Sequence, residues 1–363
     1  MLAAGGTGGH VFPALSLARV LKQRGHRVVL FTDERAEPWV QPQDFARIFV
    51  THLKKTHGRT TRLSFALRLL GCGVKSLAFF VRHRPAVVVG FGGYPSAPTV
   101  LAAQWLRIPF VLHECNALLG RANERLMPKA RAVTTGFPEV SKIDAKKQIF
   151  VGNPLRQEFE ALKAHSYEPP QKSGPLNLLV LGGSQGSHIF SSTVPLALQA
   201  LPQEFLRRLS LVQQVREADA ETVKHGYARL GVSATLRPFF KDVAQQLDSA
   251  HMIISRSGAL TLAEIAAAGL PSILVPLAHS RDGDQFANAS HYRDAGAAVL
   301  MEEKDFVPEK LKNVLLELFE NAEVLKKMSL AARKKACFHA TEKMADEVDR
   351  RVWGRKNKKV YDS

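Results

Sequence analysis

Short apolar runs and helix-period patterns alternate from one end of this 363-residue chain to the other. Residues 28–31, 86–89, 109–112 and 132–134 read as short buried strands in the first half, and 178–181, 252–254, 272–275 and 297–300 in the second. Between them the apolar spacing becomes helical. Ala14, Leu17, Ala18 and Leu21 share one face of a helix that Gly25 stops. Continuous apolar strands separated by helices predict α/β units, with parallel sheets covered by helices on both faces. The run at 325–353 predicts one charged helix, and 354–363 a frayed basic tail.

Two glycine-rich turns interrupt the pattern at corresponding places. Ala4-Gly5-Gly6-Thr7-Gly8-Gly9-His10 leads into the first helix, and Leu181-Gly182-Gly183-Ser184-Gln185-Gly186-Ser187 follows the apolar run Leu178-Leu179-Val180. A strand, a tight turn and a helix with free N-terminal N–H groups attract phosphate, because those donors and the positive end of the helix dipole converge. Two such units predict two nucleotide-binding-type domains. The boundary falls after Val151-Gly152-Asn153-Pro154, giving 1–154 and 155–334, with a helix near 335–353 returning to the first domain. Only residues 1–4 precede the first turn, whereas a strand runs to about five residues. The expectation is a truncated first strand whose true start lies upstream.

Composition adds constraints. The net charge of +17 is uneven: residues 1–154 carry 22 Lys and Arg against 8 Asp and Glu, the remainder 28 against 25. No acidic residue occurs from 45 to 113, where Lys54, Lys55, Arg59, Arg62, Arg68, Lys75, Arg82 and Arg84 lie among Phe65, Leu67, Leu69, Leu70, Leu77, Phe79 and Phe80. Such a stretch suits an anionic membrane surface, or equally a buried helix with solvated cations. No helix-turn-helix, zinc or aromatic-platform signature accompanies the charge, so nucleic acid is not an expected partner. Cys72, Cys115 and Cys337 show no metal-ligand spacing, which fits a reducing compartment. No signal peptide is visible, and the uncharged stretch 85–106 is broken by Gly90, Gly92, Gly93, Pro95 and Pro98. The expectation is no transmembrane segment.

Chemistry-bearing residues cluster in a few segments. The run Arg256-Ser257-Gly258-Ala259-Leu260-Thr261-Leu262-Ala263-Glu264 follows the strand at 252–254. Small residues there let a ligand approach the backbone, and a carboxylate one turn into the helix suits two ribose hydroxyls. Thr261-x-x-Glu264 is equally a capping box, in which the carboxylate only satisfies the N-cap amide. Asp282-Gly283-Asp284 spells a D-x-D, read as polar turn chemistry and not as a metal site.

Taken in order, Gly5-Gly6-Thr7-Gly8-Gly9-His10-Val11-Phe12-Pro13-Ala14, Gly90-Phe91-Gly92-Gly93-Tyr94, His113-Glu114-Cys115-Asn116, Gly152-Asn153-Pro154-Leu155-Arg156, Gly182-Gly183-Ser184-Gln185-Gly186, the 256–271 run and Gln285-x-x-Asn288-Ala289 closely resemble the MurG family. That family transfers N-acetylglucosamine from UDP-N-acetylglucosamine to undecaprenyl-diphosphate-linked muramoyl-pentapeptide in peptidoglycan synthesis. The resemblance implies the GT-B architecture, two Rossmann-like domains with a donor cleft between them. It implies donor contacts from Thr7, Gly8, Gly9, Asn116, Arg156, Ser184, Phe240, Ala259, Leu260, Thr261, Leu262, Ala263, Glu264 and Gln285, with Glu264 on the ribose. It further implies acceptor contacts from Gly92, Gly93 and Tyr94. A membrane patch from Leu67 to Phe80, including Leu67, Leu70, Val74 and Lys75 with Trp105, would hold the protein peripherally on the cytoplasmic face of the inner membrane. Cys115 and Ser187 depart from the family's common Gln and Ala.

The implied reaction requires a base for the sugar hydroxyl and stabilisation of departing UDP. His10 suits the base, against the alternative of a histidine that only orders its loop, and Glu114 is the second candidate or its orienting partner. Ser184, Arg156 and the second turn's N–H groups could stabilise UDP in place of a metal, so no cofactor is expected. Direct displacement would invert the sugar. The wider partners expected are an anionic membrane surface and other cell-wall synthesis proteins. The competing readings are a diacylglycerol glycosyltransferase, a non-catalytic scaffold, and a nicotinamide oxidoreductase with Asp33 as its nearest ribose-binding acid.

Overall fold

The computed structural model describes residues 1–6, 8–52, 59–183, 186–280 and 283–353, without the side chains of 59–63 and 353. The chain divides into two compact units. One comprises Met1–Arg156 with the C-terminal segment from His339, the other Gln157–Phe338.

The first unit carries seven strands: β1 Leu2–Ala3, β2 Val29–Asp33, β3 Arg47–Thr51, β4 Val88–Gly90, β5 Phe110–Glu114, β6 Ala132–Thr135 and β7 Gln148–Phe150. They pair in the order β3-β2-β1-β4-β5-β6-β7, all parallel. Short as it is, β1 lies inside the sheet between β2 and β4, with Leu2 opposite Leu30 and Val89. Its strand order reverses between β1 and β4, which is where ligands of open α/β sheets sit, at the carboxyl ends of the strands.

Helix α1, Gly8–Gln23, starts from the first glycine turn. Ala14, Leu17, Ala18 and Leu21 form its buried face, as the spacing predicts. Pro13 lies inside it and cannot donate to the carbonyl of Gly9. The buried thiol of Cys115 takes that acceptor instead, with Sγ 3.4 Å from the Gly9 oxygen.

Helix α2, Arg59–His83, and α3, Gly93–Trp105, pack against each other. Cys72, Ser76 and Phe80 face inward, and Ser76 Oγ lies 3.0 Å from Thr99 Oγ1. Phe79 and Phe80 do not belong to an exposed patch. They turn onto Phe31 and Phe49, with Phe79 edge-on to Phe49 at 5.1 Å. Residues 64–83 are nevertheless long and apolar enough to cross a bilayer by length and composition, which the expectation of no transmembrane segment overlooked. The short α4, Arg121–Leu126, completes the helices between β5 and β6.

The second unit opens with α5, Gln157–Glu160, and holds strands β8 Leu176–Leu181, β9 Leu209–Gln214, β10 Ser233–Arg237, β11 Met252–Ser255, β12 Ser272–Leu274 and β13 Ala298–Leu300. Their order is β10-β9-β8-β11-β12-β13, again parallel throughout. Its helices are α6 His188–Gln199, α7 Gln203–Arg208, α8 Ala220–Leu230, α9 Val243–Ser249, α10 Ala259–Ala268, α11 Asp284–Arg293, α12 Pro308–Glu320 and α13 Ala322–Arg333. The core gathers Leu178, Val180, Phe190, Ile254, Ile273 and Phe306 among others. The strand order reverses between β8 and β11, so the second glycine turn and the start of α10 stand at adjacent strand ends.

The single helix predicted over 325–353 is two. α13 ends at Arg333, and α14, Ala340–Trp353, begins after His339, whose φ is +69°. The left-handed residue breaks the helical path. Within the first unit α14 lies on α1, where Met344, Ala345 and Val348 join the core that contains Leu17 and Leu21. Arg24 meets Asp346 at 2.8 Å and Asp349 at 2.7 Å on the rim.

Candidate active site

At the switch point of the first unit, the first glycine turn delivers Gly8, Gly9 and His10 as the opening residues of α1. Thr7 lies outside the described residues. The His10 imidazole sits against the turn made by Gly92 and Gly93, whose φ values are +78° and +71°. A Cβ on Gly93 would lie 3.5 Å from His10 Nδ1 and Cε1, so this glycine is the floor beneath the ring. Tyr94 follows in the first turn of α3, half-buried. Burial holds His10 below its ordinary pKa of 6.5, the Arg35 guanidinium lowers it further, and Asp33 pulls upward. A neutral imidazole at the end of a free helix terminus has the protonation state that a base requires.

Glu114 ends β5 and is 3 % exposed. Its Oε1 accepts from the Asn116 backbone N–H at 3.1 Å and from Asn116 Nδ2 at 3.3 Å. Its Oε2 accepts from the Gly120 N–H and from Asn123 Nδ2, both at 2.9 Å. Burial pushes the carboxyl above its ordinary pKa, and these four donors oppose that. With both oxygens doubly engaged, this carboxylate orders the loop that presents Asn116; it is poorly placed to take a substrate proton.

A second buried set lies beneath the same loop. His113 is held between Thr134 Oγ1, 3.1 Å from Nδ1, and Asn153 Oδ1, 3.3 Å from Nε2. Burial lowers its pKa to about 4. Asn153 Nδ2 donates to the Cys115 carbonyl at 3.0 Å, and its side chain fills the space where a Cβ on Gly136 would stand. This explains the Gly152-Asn153-Pro154 motif locally: Asn153 pins the chain just before Arg156. The Arg156 guanidinium then lies 4.9 Å from the Phe12 ring centroid, next to the first helix.

In the second unit, Gly182 is required by contact: a Cβ there would meet the Ser187 nitrogen at 2.5 Å. Ser184 is outside the described residues. Ser187 is the N-cap of α6, and no side chain caps that helix. Its hydroxyl accepts from Arg256 Nη2 at 3.0 Å; the same guanidinium pairs with Glu303 at 2.6 Å. Arg256 thus braces the turn from below.

Helix α10 begins at Ala259 with Gly258 as N-cap and no side-chain cap. Thr261 is therefore inside the first turn, and the capping-box alternative for Thr261 and Glu264 is overturned. Ala259, Leu262 and Glu264 are buried, whereas Leu260, Thr261 and Ala263 are half-buried. Phe240 is 3 % exposed, beneath the Arg237 guanidinium at 5.7 Å. Gln285, second residue of α11, accepts from the Leu277 N–H through Oε1 at 3.0 Å, and its carbonyl accepts from Ser257 Oγ at 2.8 Å. This links the start of α11 to the segment before α10. Asp284 Oδ1 accepts from the Gln285 N–H at 2.9 Å, turn chemistry at the helix start, while Asp282 is outside the described residues.

Leu67, Leu70, Val74 and Trp105 are 59 %, 64 %, 56 % and 72 % exposed on α2 and α3, and Lys75 is exposed beside them. The nicotinamide alternative loses its acid. Asp33 is fully buried, with Oδ1 on the Gly6 N–H at 3.1 Å and Oδ2 on Arg35. Sequence reasoning missed Arg35, Asn123, Asn153 and Arg256 as organisers of these turns. Arg35, Asn153 and Arg256 reach residues distant in sequence, where spacing carries no signal, and Asn123 reaches back from α4 to the end of β5.

Comparison with known proteins places the chain among glycosyltransferases. The glycosyltransferase family 28 N-terminal domain matches residues 1–135, and the family 28 C-terminal domain residues 177–348. A relative from Rhodopseudomonas palustris is 43 % identical over 355 residues, covering 96 % of this chain and 97 % of its own. One from Rhodospirillum centenum is 43 % identical over 356 residues, covering 96 % and 93 %. Both are named UDP-N-acetylglucosamine–N-acetylmuramyl-(pentapeptide) pyrophosphoryl-undecaprenol N-acetylglucosamine transferase. Among solved structures, Acinetobacter baumannii MurG superposes with a TM-score of 0.79 at 30 % identity, covering 96 % of this chain and 98 % of that one.

Proposed function

Because the chain belongs to glycosyltransferase family 28, and within it to the MurG family, we propose that it moves N-acetylglucosamine from UDP-N-acetylglucosamine to the 4-hydroxyl of undecaprenyl-diphosphate-linked muramoyl-pentapeptide. Its two parallel-sheet units are those of the GT-B architecture. The observation that carries the reading is His10 on the first glycine turn, seated against the Gly92–Gly93 turn at the switch point.

The chemistry follows from charge. His10 takes the proton of the acceptor hydroxyl while that oxygen bonds to the anomeric carbon of the donor. The bond from that carbon to the diphosphate oxygen breaks, and UDP leaves with the electron pair. The N–H groups of the second glycine turn, with Ser184 and Arg156, take the growing negative charge. Glu264 binds the ribose, aided by the 259–263 segment, and Gln285 reads the sugar hydroxyls. Thr7, Gly8, Gly9 and Asn116 complete the sugar site, and Phe240 supports the base. Gly92, Gly93 and Tyr94 contact the acceptor.

The exposed Leu67, Leu70, Val74 and Trp105 with Lys75 hold the protein on an anionic membrane surface without a span, since apolar side chains ringed by cations suffice for peripheral binding. Bound in this way on the cytoplasmic face, the protein would meet its acceptor lipid in the same surface.

The anomeric proton coupling of the product, read by NMR after transfer to a soluble acceptor analogue, tests the displacement. A β-linked product from the α-linked donor is expected; an α-linked product contradicts the direct mechanism.

A further inference from the structure

Asp33 and Arg35 belong to none of the roles above, yet they join the two glycine turns of the first unit. Asp33 ends β2 with its carboxylate fully buried. Through Oδ1 it accepts the Gly6 N–H of the first turn at 3.1 Å, and through Oδ2 the Arg35 Nε at 3.0 Å. Arg35 Nη2 bonds Asp33 as well and reaches the Tyr94 hydroxyl, just after the Gly92–Gly93 turn, at 2.5 Å. The guanidinium also stands 5.3 Å from the Tyr94 ring centroid, and Phe65 meets that ring in an edge contact with centroids 5.3 Å apart. A Cβ on Gly6 would lie 3.4 Å from Arg35 Nη2. The relay therefore runs Gly6, Asp33, Arg35, Tyr94, across the switch point between β1 and β4, with His10 seated between the turns it ties.

We propose that Arg35 is a positioning residue that clamps the Gly92–Tyr94 turn to the first glycine turn and keeps a fixed positive charge beside His10. Lysine cannot copy the fork, because an ammonium is a point charge without the planar donors that span Asp33 and Tyr94. Among the described residues, the charged and titratable groups set around His10 are Asp33 at the end of β2, Arg35 just after it, His113 from β5 and Tyr94 from α3; Gly93 supplies only backbone. Asp33 and Arg35 oppose each other there, so removing either one leaves the other's charge unbalanced. This deepens the proposed reaction and rests on that reading for the role of His10.

The test is the titration of His10 in the full-length protein, followed through the Cε1 resonance of 13C-labelled histidine and assigned with His10→Asn. Arg35→Gln should move the midpoint to higher pH, because Asp33 then acts alone. Arg35→Lys should leave it close to the parent value, and Asp33→Asn should move it the opposite way, to lower pH. An unchanged midpoint in folded Arg35→Gln, or equal shifts in Arg35→Gln and Arg35→Lys, overturns the proposal. Should Arg35→Gln not fold, Asp33→Asn decides alone: a midpoint that rises or stays put overturns it. This readout needs no substrate, so it stands apart from any failure of the transferase reading. In the transfer assay, the acid limb of kcat/KM should follow the His10 midpoint in each variant. An acid limb that ignores the midpoint contradicts the placement of Arg35 beside the working base.

Discussion

Individual side chains divide the proposed labour in ways that kinetics can separate. His10→Ala should lower kcat by about 10²- to 10⁴-fold, the usual contribution of a general base, with little change in donor affinity. Glu264→Ala should weaken UDP-N-acetylglucosamine binding by about 10- to 100-fold in calorimetry, the worth of charge-assisted hydrogen bonds to ribose. If Glu264→Ala instead binds donor normally, its buried carboxylate serves only the fold of α10. Stability carries a separate signature at His113. Its folded pKa is about 4 against an unfolded value near 6.5. The unfolded chain thus binds a proton that the native one refuses across that window, and stability falls as pH drops from 6.5 towards 4. The loss is on the order of 3 kcal/mol. Urea unfolding at pH 7 and pH 5 should show a smaller drop for His113→Gln than for the parent; equal drops contradict the burial of a neutral ring. The position of His10 at the start of α1 was legible from the glycines before it, and that of Glu264 within α10 from the strand before it. The opposite case is Glu114, whose residue type suggests a base. Only the backbone donors of Asn116 and Gly120, close in space through a loop, reveal it as a scaffold.

At the level of elements, the runs at 252–254 and 132–134 became β11 and β6 because these residues are buried, with the one polar member, Thr134, donating its hydroxyl to the Leu112 carbonyl. Strands β3 and β10 lie at sheet edges, with exposed or half-buried residues throughout. An edge position lets Arg47, Arg237 and Thr235 into a strand, which erases the continuous apolar signal. The break at His339 was equally hidden, since a positive φ at a histidine leaves no mark in spacing. In α2 the period alone could not separate core from surface. Phe80 is 1 % exposed and Leu70 64 %. Phe80→Ala should therefore destabilise the protein by about 3–5 kcal/mol in denaturant unfolding, while Leu70→Glu should leave stability within about 0.5 kcal/mol. Leu70→Glu combined with Trp105→Glu should reduce sedimentation with phosphatidylglycerol vesicles, and added salt should weaken the parent's binding too. Undiminished sedimentation of the double variant removes these helices from the membrane contact.

Across the whole molecule, each unit repeats one design: a parallel sheet, a glycine turn after an interior strand, and a helix starting beside the switch point. That repetition was readable because glycine turns have backbone requirements that no other residue meets. The second, α10 side of the switch point was readable as well, from small residues after a strand. What joins the turns, Asp33 with Arg35 and Asn153 with His113, depends on the sheet being formed. The central claim is transfer of one activated amino sugar to a lipid-linked sugar. The direct measurement supplies purified protein with radiolabelled UDP-N-acetylglucosamine and a soluble muramoyl-pentapeptide lipid analogue, in the presence of EDTA. Label should pass to the acceptor, and His10→Ala should slow it. Absence of labelled product from the folded parent protein, with donor and acceptor both intact, would contradict the account.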